Sequence, residues 1–369
     1  MPVDEEVLVL KEAAQSFVIP NVPESPLVSL LQDFSAPVSL VCETSVADGL
    51  KIFQFETNGY SKWDAGLRLA QQVLTRCYRE KDEAWQVDAD LLKAYQATLL
   101  NQNLDGALRA ELLTPPGFEL IAAELPRVDV ARLEAVRDYF RVSMAHALEE
   151  SATGLYQVLW AEEDHAMHGV AYSRRRLRNV CLGLMMRTEH TAAYQYCEQQ
   201  FRDARTMTDQ LASVTLLAHC ANEEARLNAL ARFYQQWRQD ELVMDKWFSI
   251  QASCPLPGAL ARVESLMQHP LFNLKNPNKV RALIGSFCQA NLRHFHAVDG
   301  SGYAFLTDLI LKLDAINPHI SGRLVTPFTR WQRVDEPRQT LILAQLERLA
   351  RVRLSTDLQE LVQKSLVLS

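Results

Sequence analysis

From about Ser45 to its end, this 369-residue chain repeats one pattern, apolar residues three and four positions apart. That is the period of an amphipathic helix. Windows 63–79, 88–101, 130–148, 174–186, 191–204, 208–221, 223–238, 240–251, 259–269, 278–290, 303–316, 337–352 and 357–366 each carry such a stripe. The connections are short and hold Pro, Gly or Asn, as in Pro255-Leu-Pro-Gly258 and Asn317-Pro318. Helices joined this tightly stack as hairpins, each burying its stripe on its neighbours, and the expected architecture is an α-solenoid superhelix of HEAT or armadillo type. No fixed sequence period is present, so the repeats are irregular. Composition points the same way. Gly is scarce at 13, and straight-chain residues, which lose little rotamer freedom in a helix, dominate most windows.

The first 45 residues read differently. Val7-Leu-Val-Leu10, Gln15-Ser-Phe-Val-Ile19 and Pro37-Val-Ser-Leu-Val-Cys42 are short, β-branched and separated by Pro and Asn turns. Three strands without a covering layer make a poor domain, because their apolar face and edges stay open. They are expected to be the last strands of a β-sandwich, incomplete over residues 1–44, with residue 1 a cut and residues 45–369 forming the helical superhelix.

Bulk properties exclude several classes. A net charge of −7 argues against nucleic acid as the main partner, since phosphate binding needs a basic surface. No apolar stretch reaches the ~18 residues of a membrane span, and the N-terminus shows no secretory pattern. Seven cysteines, Cys42, Cys77, Cys181, Cys197, Cys220, Cys254 and Cys288, are widely spaced and fall mostly in apolar helical patterns. They read as reduced core residues of a cytoplasmic protein.

No H-E-x-x-H, G-x-S-x-G, Walker loop or C-x-x-C occurs. The one local metal lure is Glu162-Glu-Asp-His165-Ala-Met-His168, whose histidines could share a helix face. Clustered acids near a loop end are more simply solvated, so the run is expected to be incidental. Cys288 lies in an apolar stripe with no adjacent base and reads as inert core. Arg174-Arg-Arg-Leu-Arg178 reads as a solvated face paired with acidic neighbours. Trp237, Trp247 and Phe248 read as core.

Two arginines stand apart. Arg281, in the Asn276–Gly285 run, lies about a quarter-turn from the centre of the Val280–Ile284 stripe. Arg323, on a short helix with Pro318 in its first turn, lies within ~60° of the Ile320–Leu324 face. A guanidinium that close to a core needs a carboxylate partner, here Asp299, Asp308 or Asp314, or else borders a wet cavity that receives a ligand. Likewise, the turn Asp299-Gly-Ser-Gly302 either closes a turn or faces something to be recognised.

A series of runs in order carries a further resemblance: Trp63-Asp-Ala65, Leu177-Arg-Asn-Val-Cys181-Leu, Met207-Thr-Asp209, Trp237-Arg-Gln-Asp240-Glu-Leu-Val-Met-Asp-Lys-Trp247-Phe, His269-Pro-Leu-Phe272, Asn276-Pro-Asn278 and Asp299-Gly-Ser-Gly-Tyr303. Together they resemble the end of the β-sandwich and the C-terminal helical superhelix of the gluzincin zinc aminopeptidases of the aminopeptidase N type. The resemblance implies a lid that closes over a thermolysin-like zinc domain, its partner, and encloses a chamber for peptide substrates. It implies that Arg281 and Arg323 line that chamber on the substrate's C-terminal side, where guanidinium pairs with carboxylate. It implies no cofactor in this chain, because the zinc belongs to the catalytic domain, and no catalytic residue, so the chain alone should cleave nothing. The rival is an autonomous α-solenoid scaffold that binds a protein or peptide in its groove. A third reading, a metal enzyme using His165 and His168, is the weakest.

Overall fold

The computed structural model describes residues 7–21, 26–38, 40–42, 44–80, 84–163 and 165–367. Helices Val46–Phe55, Gly59–Arg79, Ala89–Leu100, Gly106–Leu112 and Phe118–Ala123 lead into the 32-residue Val130–Ala161. Gly169–Arg187, Thr191–Asp203, Met207–Ala218, Glu223–Trp237, Glu241–Ala252 and Ala259–Leu266 follow. The array closes with a helix over 277–290 and with Ser301–Asp314, Pro318–Leu324, Glu336–Ala350 and Thr356–Val367. Most helices pack on near neighbours in sequence, while Ala89–Leu100 lies chiefly against Val130–Ala161 and Gly106–Leu112 against Gly169–Arg187, the arrangement expected of an irregular solenoid.

Side-chain caps explain why the connections can be short. Asn58, Asp105, Asn222 and Asp240 each accept from backbone N–H groups of the following first turn, satisfying donors that would otherwise need water. The stripes then bury as a continuous interior in which Phe53, Leu133, Phe140, Phe233, Phe248, Phe287 and Phe328 are essentially inaccessible. Trp247 is 8% exposed and gives its indole N–H to the Leu230 carbonyl at 3.1 Å, as its core assignment requires.

The array does not run straight. Val128 and Val334 form a parallel bridge, with the Val128 N–H on the Arg333 carbonyl at 2.7 Å and the Asp335 N–H on the Val128 carbonyl at 2.9 Å. Arg127 pairs with Glu336, and Arg293 with Asp138. Contacts between residues some two hundred positions apart draw the last helices back to the start of the long Val130–Ala161 helix. No helical periodicity encodes that closure.

The strands expected before residue 45 do not form among the described residues. The 7–10 and 15–19 segments and the described part of 37–42 carry no ladder, and Leu31, Asp33 and Phe34 adopt left-handed backbone around a short Gln32–Phe34 turn. A strand requires a neighbour for its N–H and C=O groups, and none lies alongside among the described residues, where Val7, Val18 and Val41 are exposed. The segment is held to the helices by few contacts. The Arg68 guanidinium reaches the Leu40 carbonyl, Asn58 donates to Asp33 at 2.8 Å, and Phe34 lies against Tyr60.

Candidate functional site

The Asn276–Gly285 run builds one wall of a groove. Asn276 caps the helix, accepting from the Asn278 N–H at 2.9 Å, and Pro277 occupies its first turn. Lys279 is 4% exposed, yet its ammonium lies 2.7 Å from Asp245 Oδ1 and 3.0 Å from the Glu241 carbonyl, over the Phe248 ring. Burying a cation is tolerable only with such a partner.

The helix then widens. Arg281–Gly285 is a π-helical turn, and the Ser286 N–H reaches back to the Arg281 carbonyl. Ser249 on the neighbouring helix donates to the Ala282 carbonyl at 2.9 Å. Single π turns inside α-helices are rare and recur at functional sites. Here the turn buries Val280, Ala282, Leu283 and Ile284 while leaving Arg281 exposed. The arginine stem runs past Gly285, and its guanidinium has no hydrogen-bond or ion-pair partner among the described residues. The groove it lines measures about 540 Å³, and its walls include Leu211, Leu242, Asp245, Lys246, Ser249 and Ile250.

Arg323 is exposed as well. The Pro318–Leu324 helix buries Ile320, Ser321 and Leu324 instead. All three acids that could have paired with Arg323 are engaged elsewhere. Asp299 accepts from the Ser301 N–H, Asp308 pairs with Arg348 at 2.6 Å, and Asp314 accepts from Ser321 and Ser355. The buried ion pair is therefore not formed, because a long side chain at the edge of an apolar face can carry its charged end out to water. Arg281 lines the groove described above; Arg323 is not among that groove's walls.

The Asp299-Gly-Ser-Gly302 turn closes a joint. Gly300 sits at φ 70°, and a Cβ on Gly302 would lie 2.2 Å from the Phe295 carbonyl oxygen, so the backbones touch there. Tyr303 is fully buried, its hydroxyl 2.8 Å from His296 Nδ1, and Arg338 donates to the His296 carbonyl at 2.7 Å. Gly300 is explained by its left-handed backbone and Gly302 by the close approach of the Phe295 backbone.

The basic run corrects an expectation. Arg176 is solvated and pairs with Glu111, but Arg175 and Arg178 are 1% exposed. Arg178 bridges Glu163 Oε2 at 2.9 Å and Asp209 Oδ2 at 2.8 Å and lies over the Trp160 ring, while Arg175 lies 3.4 Å from Glu163. Asp209 also accepts from Thr206 and Asn179, and the fully buried Gln200 donates to Asn179 and to the Asp209 carbonyl. Four helices thus meet at one polar knot. Helical spacing missed it because Glu163 lies in a loop outside any helical stripe and Asp209 comes from a different helix; the Met207-Thr-Asp209 run was its visible trace.

The histidine run does not assemble a metal site among the described residues. His168 Nδ1 faces the Ala171 N–H as a helix cap, and Glu163 is committed to the two arginines. Asp164 lies outside the described residues. Cys288 is buried without a base beside it, and burial pushes its thiol strongly up. It is inert core.

A helical-repeat array with an irregular N-terminal segment matches one protein class. Residues 46–367 fit the profile of a domain of unknown function with ARM repeats (DUF3458_C), and residues 1–43 that of a domain of unknown function with an Ig-like fold (DUF3458). The chain belongs to this DUF3458 family and is homologous to the C-terminal region of aminopeptidase N. It is 35% identical over 98% of its length to aminopeptidase N of Caulobacter vibrioides, covering 42% of that protein. It is 34% identical over 98% of its length to the Escherichia coli K12 protein, again covering 42%. Among solved structures, it resembles Legionella pneumophila aminopeptidase A in complex with aspartic acid, with a TM-score of 0.84 and 30% identity over 94% of this chain and 41% of that one. The chain spans less than half the length of the relatives it matches. No described helix is long and apolar enough to cross a membrane.

Proposed function

We propose that this chain is the non-catalytic C-terminal part of a zinc-dependent aminopeptidase. Residues 1–44, which form no ladder among the described residues but match an Ig-like profile over 1–43, would join a β-sandwich only with strands from the rest of the enzyme, and residues 45–369 form the superhelix that caps the catalytic zinc domain and encloses a peptide chamber. Zinc and the water-activating residues belong to that partner domain, and no step of hydrolysis runs through the residues present here. The work is cytoplasmic, in keeping with six buried free thiols.

Arg281 and Arg323 bind the peptide's C-terminal side. What supports this is the pair of exposed guanidiniums, neither of which has a partner among the described residues. The Arg281 guanidinium, brought to the groove on a π turn with no partner among the described residues, is the observation that carries the reading. A free carboxylate would supply the missing partner, bidentately at an arginine.

The test uses a full-length enzyme carrying this segment, with the isolated chain as the inactive blank. Arg281→Ala and Arg323→Ala should lower kcat/KM on free-acid peptides by roughly tenfold to a hundredfold, the range for a charged hydrogen bond. Single-residue arylamides and amidated peptides, which lack that carboxylate, should lose little. Equal losses on free-acid and amidated peptides would overturn the assignment, and no loss on either would favour a scaffold with no role at the substrate.

A further inference from the structure

The groove beside Arg281 holds three charged groups, and one of them is already spent. Asp245 faces it, but its carboxylate is 2.7 Å from the buried Lys279 ammonium, which pairs with no other acid among the described residues. A buried cation needs that pair, so the aspartate's charge is compensated locally. The other two are Lys246 and Arg281. Both are exposed, and neither has an ion-pair or hydrogen-bond partner among the described residues. The groove thus carries two uncompensated positive charges in a protein whose net charge is −7. Beside them, Leu211, Leu242 and Ile250 supply apolar surface, with Leu242 71% exposed.

The position of Lys246 follows from the helix it sits on. Asp240 caps Glu241–Ala252 by accepting from the Leu242 and Val243 N–H groups at 3.0 and 3.1 Å, which fixes the first turn. Val243, Met244, Trp247 and Phe248 bury the opposite side. Leu242, Asp245, Lys246 and Ser249 are left on the groove face, three and four apart. Ser249 of the same face holds the π turn through the Ala282 carbonyl. One helix therefore supplies a cation to the groove and also fixes the backbone that presents the other.

We infer that Lys246 is a second carboxylate-binding residue, forming with Arg281 a two-cation seat for the C-terminal carboxylate of a peptide whose last side chain is apolar. This rests on the assignment of Arg281 to the substrate's C-terminal side and adds a residue and a preference to it. Arginine grips the carboxylate in fixed geometry. Lysine adds a mobile point charge, and the leucine–isoleucine wall takes the side chain.

Calorimetry on this chain tests the inference without any catalytic step. The ligands are a tetrapeptide of three alanines and a C-terminal leucine, as the free acid and as the amide. Unmodified protein should prefer the acid, more so at low salt. Lys246→Gln should cut that preference roughly three- to tenfold and Arg281→Gln roughly tenfold or more, the order expected of exposed and bidentate charge contacts respectively. The double variant should erase it, and Lys246→Arg should restore it, which a structural role for Lys246 would not explain. Full acid preference in Lys246→Gln, alongside its loss in Arg281→Gln, would overturn the inference and leave the arginine assignment standing. No acid preference in the unmodified chain would sink both.

Discussion

Replacing Arg178 with Met should be the most damaging single change that leaves the apolar interior intact. Arg178 is 1% exposed, and its two carboxylate partners, Glu163 and Asp209, retain side-chain exposures of 9% and 3%. Met fills much of the same volume, so the loss is electrostatic. Asp209 is left with neutral donors only, from Thr206 and Asn179, and Glu163 keeps Arg175. Breaking a buried pair while stranding its partner destabilises by about 3–5 kcal/mol, a large part of the ~5–15 kcal/mol that folded domains typically hold. With a urea m-value of at least ~3 kcal/mol per M for a helical array of this size, the midpoint should fall by about 1 M. Urea unfolding followed by circular dichroism measures it. Arg176→Met is the matched control, because Arg176 and Glu111 are 53% and 41% exposed, and such a pair contributes at most about 1 kcal/mol. Adding Asp209→Asn to Arg178→Met should recover part of the loss, since it removes the stranded charge; residues in one network couple by about 0.5–3 kcal/mol. If Arg178→Met costs no more than Arg176→Met, or the double variant is strictly additive, the knot is not a charge-balanced network and the reasoning fails.

Two further outcomes follow from the joint around Tyr303. Gly302→Ala should destabilise by about 3 kcal/mol or more, because its Cβ would collide with the Phe295 backbone and not with a movable side chain; a melting temperature within a degree or two of the parent would refute the close approach. Burial first, then the Arg338 cation, pushes the His296 imidazole down to about 4, with Asp335 opposing. The unfolded chain therefore binds that proton first as pH falls. His296 favours folding fully above the unfolded value near 6.5, and that share is lost between there and about 4, by at most ~3 kcal/mol. His296→Asn, which can still face the Tyr303 hydroxyl, should flatten the decline in melting temperature across that window. Parallel pH profiles for the two proteins would show that His296 does not titrate there.

Much of the fold was legible because helix formation is local. Apolar spacing located thirteen stripes, and Asn, Asp and Pro at the connections marked their ends. The order of short runs, from Trp63-Asp-Ala65 to Asp299–Tyr303, was enough to identify the family. Arg281 was legible too, as a charge at the margin of a buried face, although periodicity alone could not say which way it turned. Local signals failed wherever the deciding partner is remote in sequence. A strand needs a neighbour, so alternating β-branched residues before Ser45 could not make one by themselves. Arg175 and Arg178 read as solvated because neither the nearby Glu163 nor the more distant Asp209 gives a local sign that it turns inward to meet them. The π turn at Arg281, the Ser249 contact that accompanies it, the exposure of Arg323 and the closure of Val128 on Val334 are products of packing between helices. The sequence determined which segments are helical and which faces are apolar, since both depend on residues within two turns of each other. Only the tertiary structure decided which charges are paired and which stay open to a ligand, because a charge's state depends on every group within a few ångströms, wherever in the chain it originates.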